Sequence, residues 1–148
     1  MSGFYYRWES NKDGLPDDAF RAGTDVDGQA IYVGNAYHEN DFLPAKIIPS
    51  KNECYVCYDG KEIRKDEYQI LCTGVSDLAW IHSRDGQIPG NAISAGWTAD
   101  GETLYIGRVL GDGHITPGKV QPSHGALYYP FNGEEKKATE YEILITRN

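Results

Sequence analysis

Apolar and polar residues alternate along this chain in short runs, and the runs are separated by turn dipeptides. Ala30-Ile31-Tyr32-Val33 follows Asp27-Gly28, and Thr103-Leu104-Tyr105-Ile106 follows Asp100-Gly101. The run Glu53–Tyr58 ends at Asp59-Gly60, and Ala126–Phe131 ends at Asn132-Gly133. Asp-Gly and Asn-Gly suit two-residue hairpin loops, whose central residues need positive φ. Two more runs, Tyr68-Gln69-Ile70-Leu71 and Tyr141-Glu142-Ile143-Leu144, carry the same β-rich character. No window longer than about ten residues shows the 3.6-residue rhythm of an amphipathic helix. The pattern predicts an all-β fold of short antiparallel strands.

These runs come in pairs at one spacing. Ala22-Gly23-x-x-x-Asp27-Gly28-x-x-x-Tyr32-Val33-Gly34 lies over Ala95-Gly96-x-x-x-Asp100-Gly101-x-x-x-Tyr105-Ile106-Gly107, an offset of 73. The offset continues without a gap to Leu71/Leu144, with 19 identities in the 57 pairs from 15/88 onward. Trp8 and Gly14 are echoed by Trp80 and Gly86 after a one-residue slip. The sequence therefore divides into two tandem copies, 1–74 and 75–148, each with about four strands. So few strands cannot cover both faces alone, so the copies are expected to share one core about a pseudo-twofold. The stretch 72–83 reads as packed strand and not as a tether.

Composition narrows the function. Fourteen Lys+Arg against 22 Asp+Glu give a net charge of −8, which disfavours nucleic acid and anionic membranes as partners. No apolar run approaches the ~20 residues of a membrane helix. The aromatic, quickly charged start at residues 1–8 does not read as a signal peptide. A cytoplasmic location with reduced thiols is expected, unconventional secretion being the export route left open. Cys54-x-x-Cys57 has no second pair, and Leu127 and Pro130 replace it in the second copy, which favours packing over metal. Strand alternation sends these two cysteines to opposite faces. His38, His82, His114 and His124 show no ligand spacing, and no phosphate loop, nucleophile elbow or dinucleotide fingerprint occurs. No metal, no cofactor and no enzymatic activity are expected.

The repeated residues resemble the DM-nine (DM9) repeat, natterin-type, family. The resemblance rests on Ala-Gly-x-x-x-Asp-Gly-x-x-x-Tyr-[Val/Ile]-Gly, Pro-x-Lys about ten residues on, a Tyr-rich strand, Gly-x-Glu and Tyr-Glu-Ile-Leu. Ile-Gly-Arg-Val at 106–109 and Thr-Pro-Gly-Lys at 116–119 stand close to its signature. Asn35 stands where the motif has Arg, and Ala45 where it has Gly. The resemblance implies an all-β fold with strands exchanged between repeats, and a homodimer. It also implies a lectin for mannose or mannose-containing glycans that acts in innate immune pattern recognition. By the same resemblance Asp25 and Lys46 bind the sugar. A non-lectin intracellular or vesicle-associated interaction protein is the alternative.

The residues allow that chemistry. A carboxylate accepts from vicinal hydroxyls and an ammonium donates to them, in charge-assisted bonds of ~1.5–3 kcal/mol each. Asp25, Asp27, Asp41 and Lys46 are expected on turns flanking one hairpin. Asp27 and Asp100 recur in Asp-Gly turns, which favours a turn role. Asp25 faces Thr98 and Asp41 faces His114 across the repeat. One complete site (Asp25, Lys46, Asp41) is therefore expected in the first copy, and a degenerate one (Lys119, Thr98, His114) in the second. Because Lys46 recurs as Lys119, the lysines fit either two sites or structural ion pairs. Trp8 and Trp80 recur and are expected in the core, whereas Trp97 has no counterpart and is expected at the surface.

Overall fold

The computed structural model describes residues 6–73 and 78–147. The boundary between 74 and 75, and residues 1–5, lie outside the described residues. The first copy contains β1 (Arg7–Ser10), β2 (Arg21–Thr24), β3 (Ala30–His38), β4 (Asp41–Ile48), β5 (Glu53–Tyr58), β6 (Lys61–Arg64) and β7 (Gln69–Cys72). The second contains β8 (Leu78–Arg84), β9 (Ser94–Trp97), β10 (Thr103–Gly111), β11 (His114–Gln121), β12 (Ala126–Phe131), β13 (Glu134–Ala138) and β14 (Glu140–Thr146). The all-β expectation holds, with each copy giving more strands than the four predicted. The segment 78–84 is strand, as expected for the end of 72–83. No helix among the described residues is long and apolar enough to cross a membrane.

The hairpins follow the turn chemistry. Asp59-Gly60 and Asn132-Gly133 take positive φ at both residues (51° and 81°, 54° and 80°), the type I′ signature. They join β5 to β6 and β12 to β13 at matching positions.

All fourteen strands belong to one hydrogen-bonded sheet that closes on itself. A ring of eight runs β3-β2-β11-β12-β13-β6-β5-β4 and closes through β3–β4. The ring passes from the first copy to the second through β2–β11 and back through β13–β6, and outside the ring β4 also pairs with β9. Two of these contacts, β2–β11 and β4–β9, need the glycine of an Ala-Gly motif. A Cβ on Gly23 would stand 2.0 Å from the Ile115 carbonyl oxygen, and one on Gly96 1.9 Å from that of Phe42. The long strand β4 meets β9 at Phe42 and β5 from Lys46 onward, and Pro44 lies between those pairings. Pro117 sits likewise in β11, between Ile115 and Lys119. Proline is tolerated where ladder bonds lapse.

The core is shared. One cluster joins Ala22, Val33 and Leu71 of the first copy to Ile93, Ile106 and Leu144 of the second, with Trp8 and Trp80 packed against it. Two matching clusters lie apart from it: Leu43, Ile47, Cys54 and Ile70 under Tyr32, and Val120, Leu127 and Ile143 under Tyr105. Leu71 and Leu144 are both fully buried in the common cluster. Truncating either to alanine should cost about 2–5 kcal/mol. Because the cluster is common, urea unfolding of each variant should remain a single transition. Two transitions, each moved by one substitution alone, would contradict a shared core.

Candidate functional site

The geometry centres on two buried lysines. Lys46 and Lys119 are 4% and 6% exposed, and both lie within strands, β4 and β11. The turn position expected for Lys46 is therefore corrected: Pro44 precedes it without ending the strand. Lys46 Nζ donates to the Pro130 carbonyl at 2.7 Å and stands 3.0 Å from Glu62 Oε2. Lys119 Nζ donates to the Cys57 carbonyl at 2.9 Å and stands 3.1 Å from Glu135 Oε2. The second carboxylate oxygens accept from the hairpin of the other copy. Gly133 N–H donates to Glu62 Oε1 and Gly60 N–H to Glu135 Oε1, both at 2.9 Å. Each ammonium also lies over a tyrosine ring, Tyr55 at 5.6 Å or Tyr128 at 5.7 Å.

The lysines thus form structural ion pairs, each with its own acidic partner. An ammonium has three N–H donors, and these contacts use two. Each lysine also lines a surface cleft, toward which the third can turn. The first cleft, about 230 Å³, is lined by Asp25, Val26, Lys46, Tyr55, Glu62 and Phe131, among others. The second, about 580 Å³, includes Asp41, Asp59, Thr98, Lys119, Tyr128 and Glu135.

The structure brings Asp25 and Lys46 together and places Asp41 elsewhere. Asp41 lies in the Lys119 cleft, where its Oδ1 accepts from Ala99 N–H at 2.7 Å. The grouping of Asp41 with Asp25 is corrected by strand exchange, because the start of β4 runs beside β9 of the other copy. Its counterpart His114 stacks on Phe131 at 4.3 Å, beside the first cleft, and its Nδ1 lies 2.8 Å from Thr116 Oγ1. Thr98 Oγ1 accepts from Glu102 N–H at 3.1 Å within its turn.

Asp25 does turn work as well as facing the cleft. Its Oδ1 accepts from Val26 N–H at 2.9 Å, and Oδ2 lies 3.4 Å from Lys51 Nζ. Asp27 lies 2.7 Å from the same ammonium and accepts from Gln29 N–H. Lys51 first, then that N–H, hold the Asp27 carboxyl below its usual range.

Glu62, Tyr55 and Phe131 also line the first cleft, and the sequence alone does not mark them as site residues. Identity at Glu62/Glu135 and Tyr55/Tyr128 was the available signal, but identity alone reads equally as fold maintenance. Cys54 and Cys57 are both buried, since both faces of β5 are covered. Burial pushes both thiols well above their usual range. Among the described residues, no three His, Cys, Asp or Glu side chains gather as metal ligands. Trp97 is exposed, as expected, and packs against Phe42 at 4.9 Å.

The DM9 repeat model matches residues 25–138. Natterin-3 of Thalassophryne nattereri is 25% identical over 150 residues, covering 100% of this chain and 38% of the relative. Natterin-4 of the same fish is 26% identical over 142 residues, covering 95% and 33%. The chain spans little more than a third of the length of these curated relatives. A solved structure, that of the nematode sperm cell motility protein MFP2B, matches with a TM-score of 0.64. It is 15% identical, and the match covers 95% of this chain and 46% of that one, a likeness of fold.

Lys46→Ala would leave Glu62 buried without its cation, so a loss of about 3–5 kcal/mol is expected in urea unfolding. A loss below about 1 kcal/mol, the range of exposed pairs, would show that Lys46 is solvated. Cys54 and Cys57 should resist iodoacetamide at pH 8 in the folded protein and react once it is unfolded. Rapid labelling of either in the folded state would contradict their burial.

Proposed function

The chain belongs to the DM9 repeat family, and from that premise we propose that it is a lectin for mannose-type sugars. The observation that carries this reading is the first cleft. There a buried ammonium with one N–H to spare is paired with the Glu62 carboxylate and lies over the rings of Tyr55 and Phe131, in a cleft that Asp25 and its cation Lys51 also line. Vicinal hydroxyls each donate and accept, so an ammonium flanked by carboxylates reads them better than an apolar pocket would. The cleft is smaller than the ~300–1,000 Å³ of drug-sized sites, which favours a single terminal ring over a long chain. In this reading Lys46 donates to one hydroxyl and Asp25 accepts from its neighbours. The ion pair with Glu62 fixes the ammonium beforehand, so little side-chain entropy is lost on binding.

The Lys119 cleft keeps the same ammonium and glutamate but has Thr98 in place of Asp25, with Asp41 and Asp59 supplying carboxylates at other points. It therefore selects a different arrangement of hydroxyls. Recognition of microbial mannose in innate immunity is the role that such specificity serves, with binding and not turnover as the activity.

Calorimetric titration with mannose tests the reading. Binding should survive excess chelator, because the proposed contacts involve no metal. Asp25→Asn keeps an oxygen for Val26 N–H and removes the charge, so affinity should fall by about 2–3 kcal/mol, roughly 30- to 150-fold. Asp41→Asn should leave the first cleft unaffected. Undiminished binding by Asp25→Asn would remove Asp25 from the site. A blank glycan array would turn the reading toward the interaction-protein alternative.

A further inference from the structure

The second copy contains an arginine that the first copy lacks, and a cleft stands at its counterpart. Arg108 lies within β10, its Nε donating to Glu142 Oε1 at 2.7 Å and its guanidinium to the Ala22 carbonyl at 2.9 Å. Its Cζ sits 4.2 Å from the centroid of the Trp80 ring. The surroundings recur in the first copy. Asn35 holds the place of Arg108 and donates to the Ala95 carbonyl at 2.8 Å, the counterpart of the Ala22 contact. Gln69 stands for Glu142, and Trp8 pairs with Leu71 as Trp80 pairs with Leu144.

Asn35 lines an open cleft of about 910 Å³ together with Tyr37, Phe42, Glu67, Tyr68 and Gln69, with Lys12 and Lys65 among its other residues. Asn35 is 2% exposed, and its Oδ1 is the one buried side-chain polar atom without a partner among the described residues. A buried acceptor with no donor is destabilising, and a ligand donor would relieve that cost. Tyr37, 62% exposed, stacks on Phe42 at 4.1 Å; the second copy has Leu110 and Ile115 at these positions. Aromatic faces have thus been placed beside the vacated position.

We propose that this cleft, next to the position where the second copy carries Arg108, binds the guanidinium group of an arginine side chain on a partner polypeptide. A planar guanidinium can donate to Asn35 Oδ1 and Gln69 Oε1 together while stacking on the Tyr37–Phe42 pair. Glu67 brings a carboxylate to the same cleft. A lysine ammonium offers neither the fork nor the flat face, so the site discriminates between the two cations.

The probe is N-acetyl-arginine methylamide, followed by NMR through the side-chain amide signals of Asn35 and Gln69, with the lysine and citrulline counterparts as controls. Saturable shifts are expected for arginine, with binding at least about tenfold weaker for lysine and citrulline. Asn35→Arg combined with Gln69→Glu rebuilds the second-copy arrangement, and should melt at or above the parent temperature and lose probe binding. Gln69→Lys, at an exposed position, keeps the fold testable and should also abolish binding. Absence of saturable shifts, equal binding of lysine, binding of free arginine but not the capped residue, or undiminished binding by folded Gln69→Lys would each overturn the proposal. The probe has no sugar hydroxyls and the cleft is separate from that of Lys46, so the result is independent of the lectin reading.

Discussion

Two buried ammonium–carboxylate pairs, Lys46 with Glu62 and Lys119 with Glu135, tie the halves of this molecule together. In each, the lysine and glutamate come from one copy, while the carbonyl and N–H that complete their bonding come from the other. Such a pair is costly to desolvate and is retained only where its remaining bonds are satisfied. Here satisfaction requires the other copy. Neither half can bury its lysine without the hairpin of its neighbour, so the pairs enforce the exchange of strands that closes the sheet.

The same exchange composes the clefts. Each combines its lysine and glutamate with loops drawn from both copies, so the surrounding residues diverge although the ion pairs do not. The first cleft has Asp25 and a neighbouring His114–Phe131 stack, and the second has Thr98, Asp41 and Asp59. A duplicated frame that holds two cations fixed leaves the rims free to vary. Divergence at Asn35 and Arg108 follows the same logic in a third place, away from the lysines.

Much of this architecture was legible in the chain. The offset of 73 pairs Tyr32 with Tyr105 and Leu71 with Leu144 in matching surroundings, and the Asp-Gly and Asn-Gly turns fall where positive φ is required. Strand pairing between the copies was expected only in outline, because a repeat offset is silent about which copy supplies a neighbour. That silence misplaced Asp41, which belongs with Lys119 across the β4–β9 contact. Lys46 differs from its expected turn position for another reason: the ladder on that edge of β4 lapses between Phe42 and Lys46, so the strand runs on through Pro44. The glutamates were visible as identical positions, but burial and pairing are three-dimensional facts that identity does not encode.

The central claim is that the lysine that locks the two copies together is also the group that meets the sugar. Lysine-selective NMR during a mannose titration tests it most directly, by following the methylene protons next to each ammonium. The account predicts saturable shifts for Lys46, with the exposed Lys61 unmoved. Saturation with the Lys46 signal unchanged would show that this ion pair is structural only and that the sugar binds elsewhere.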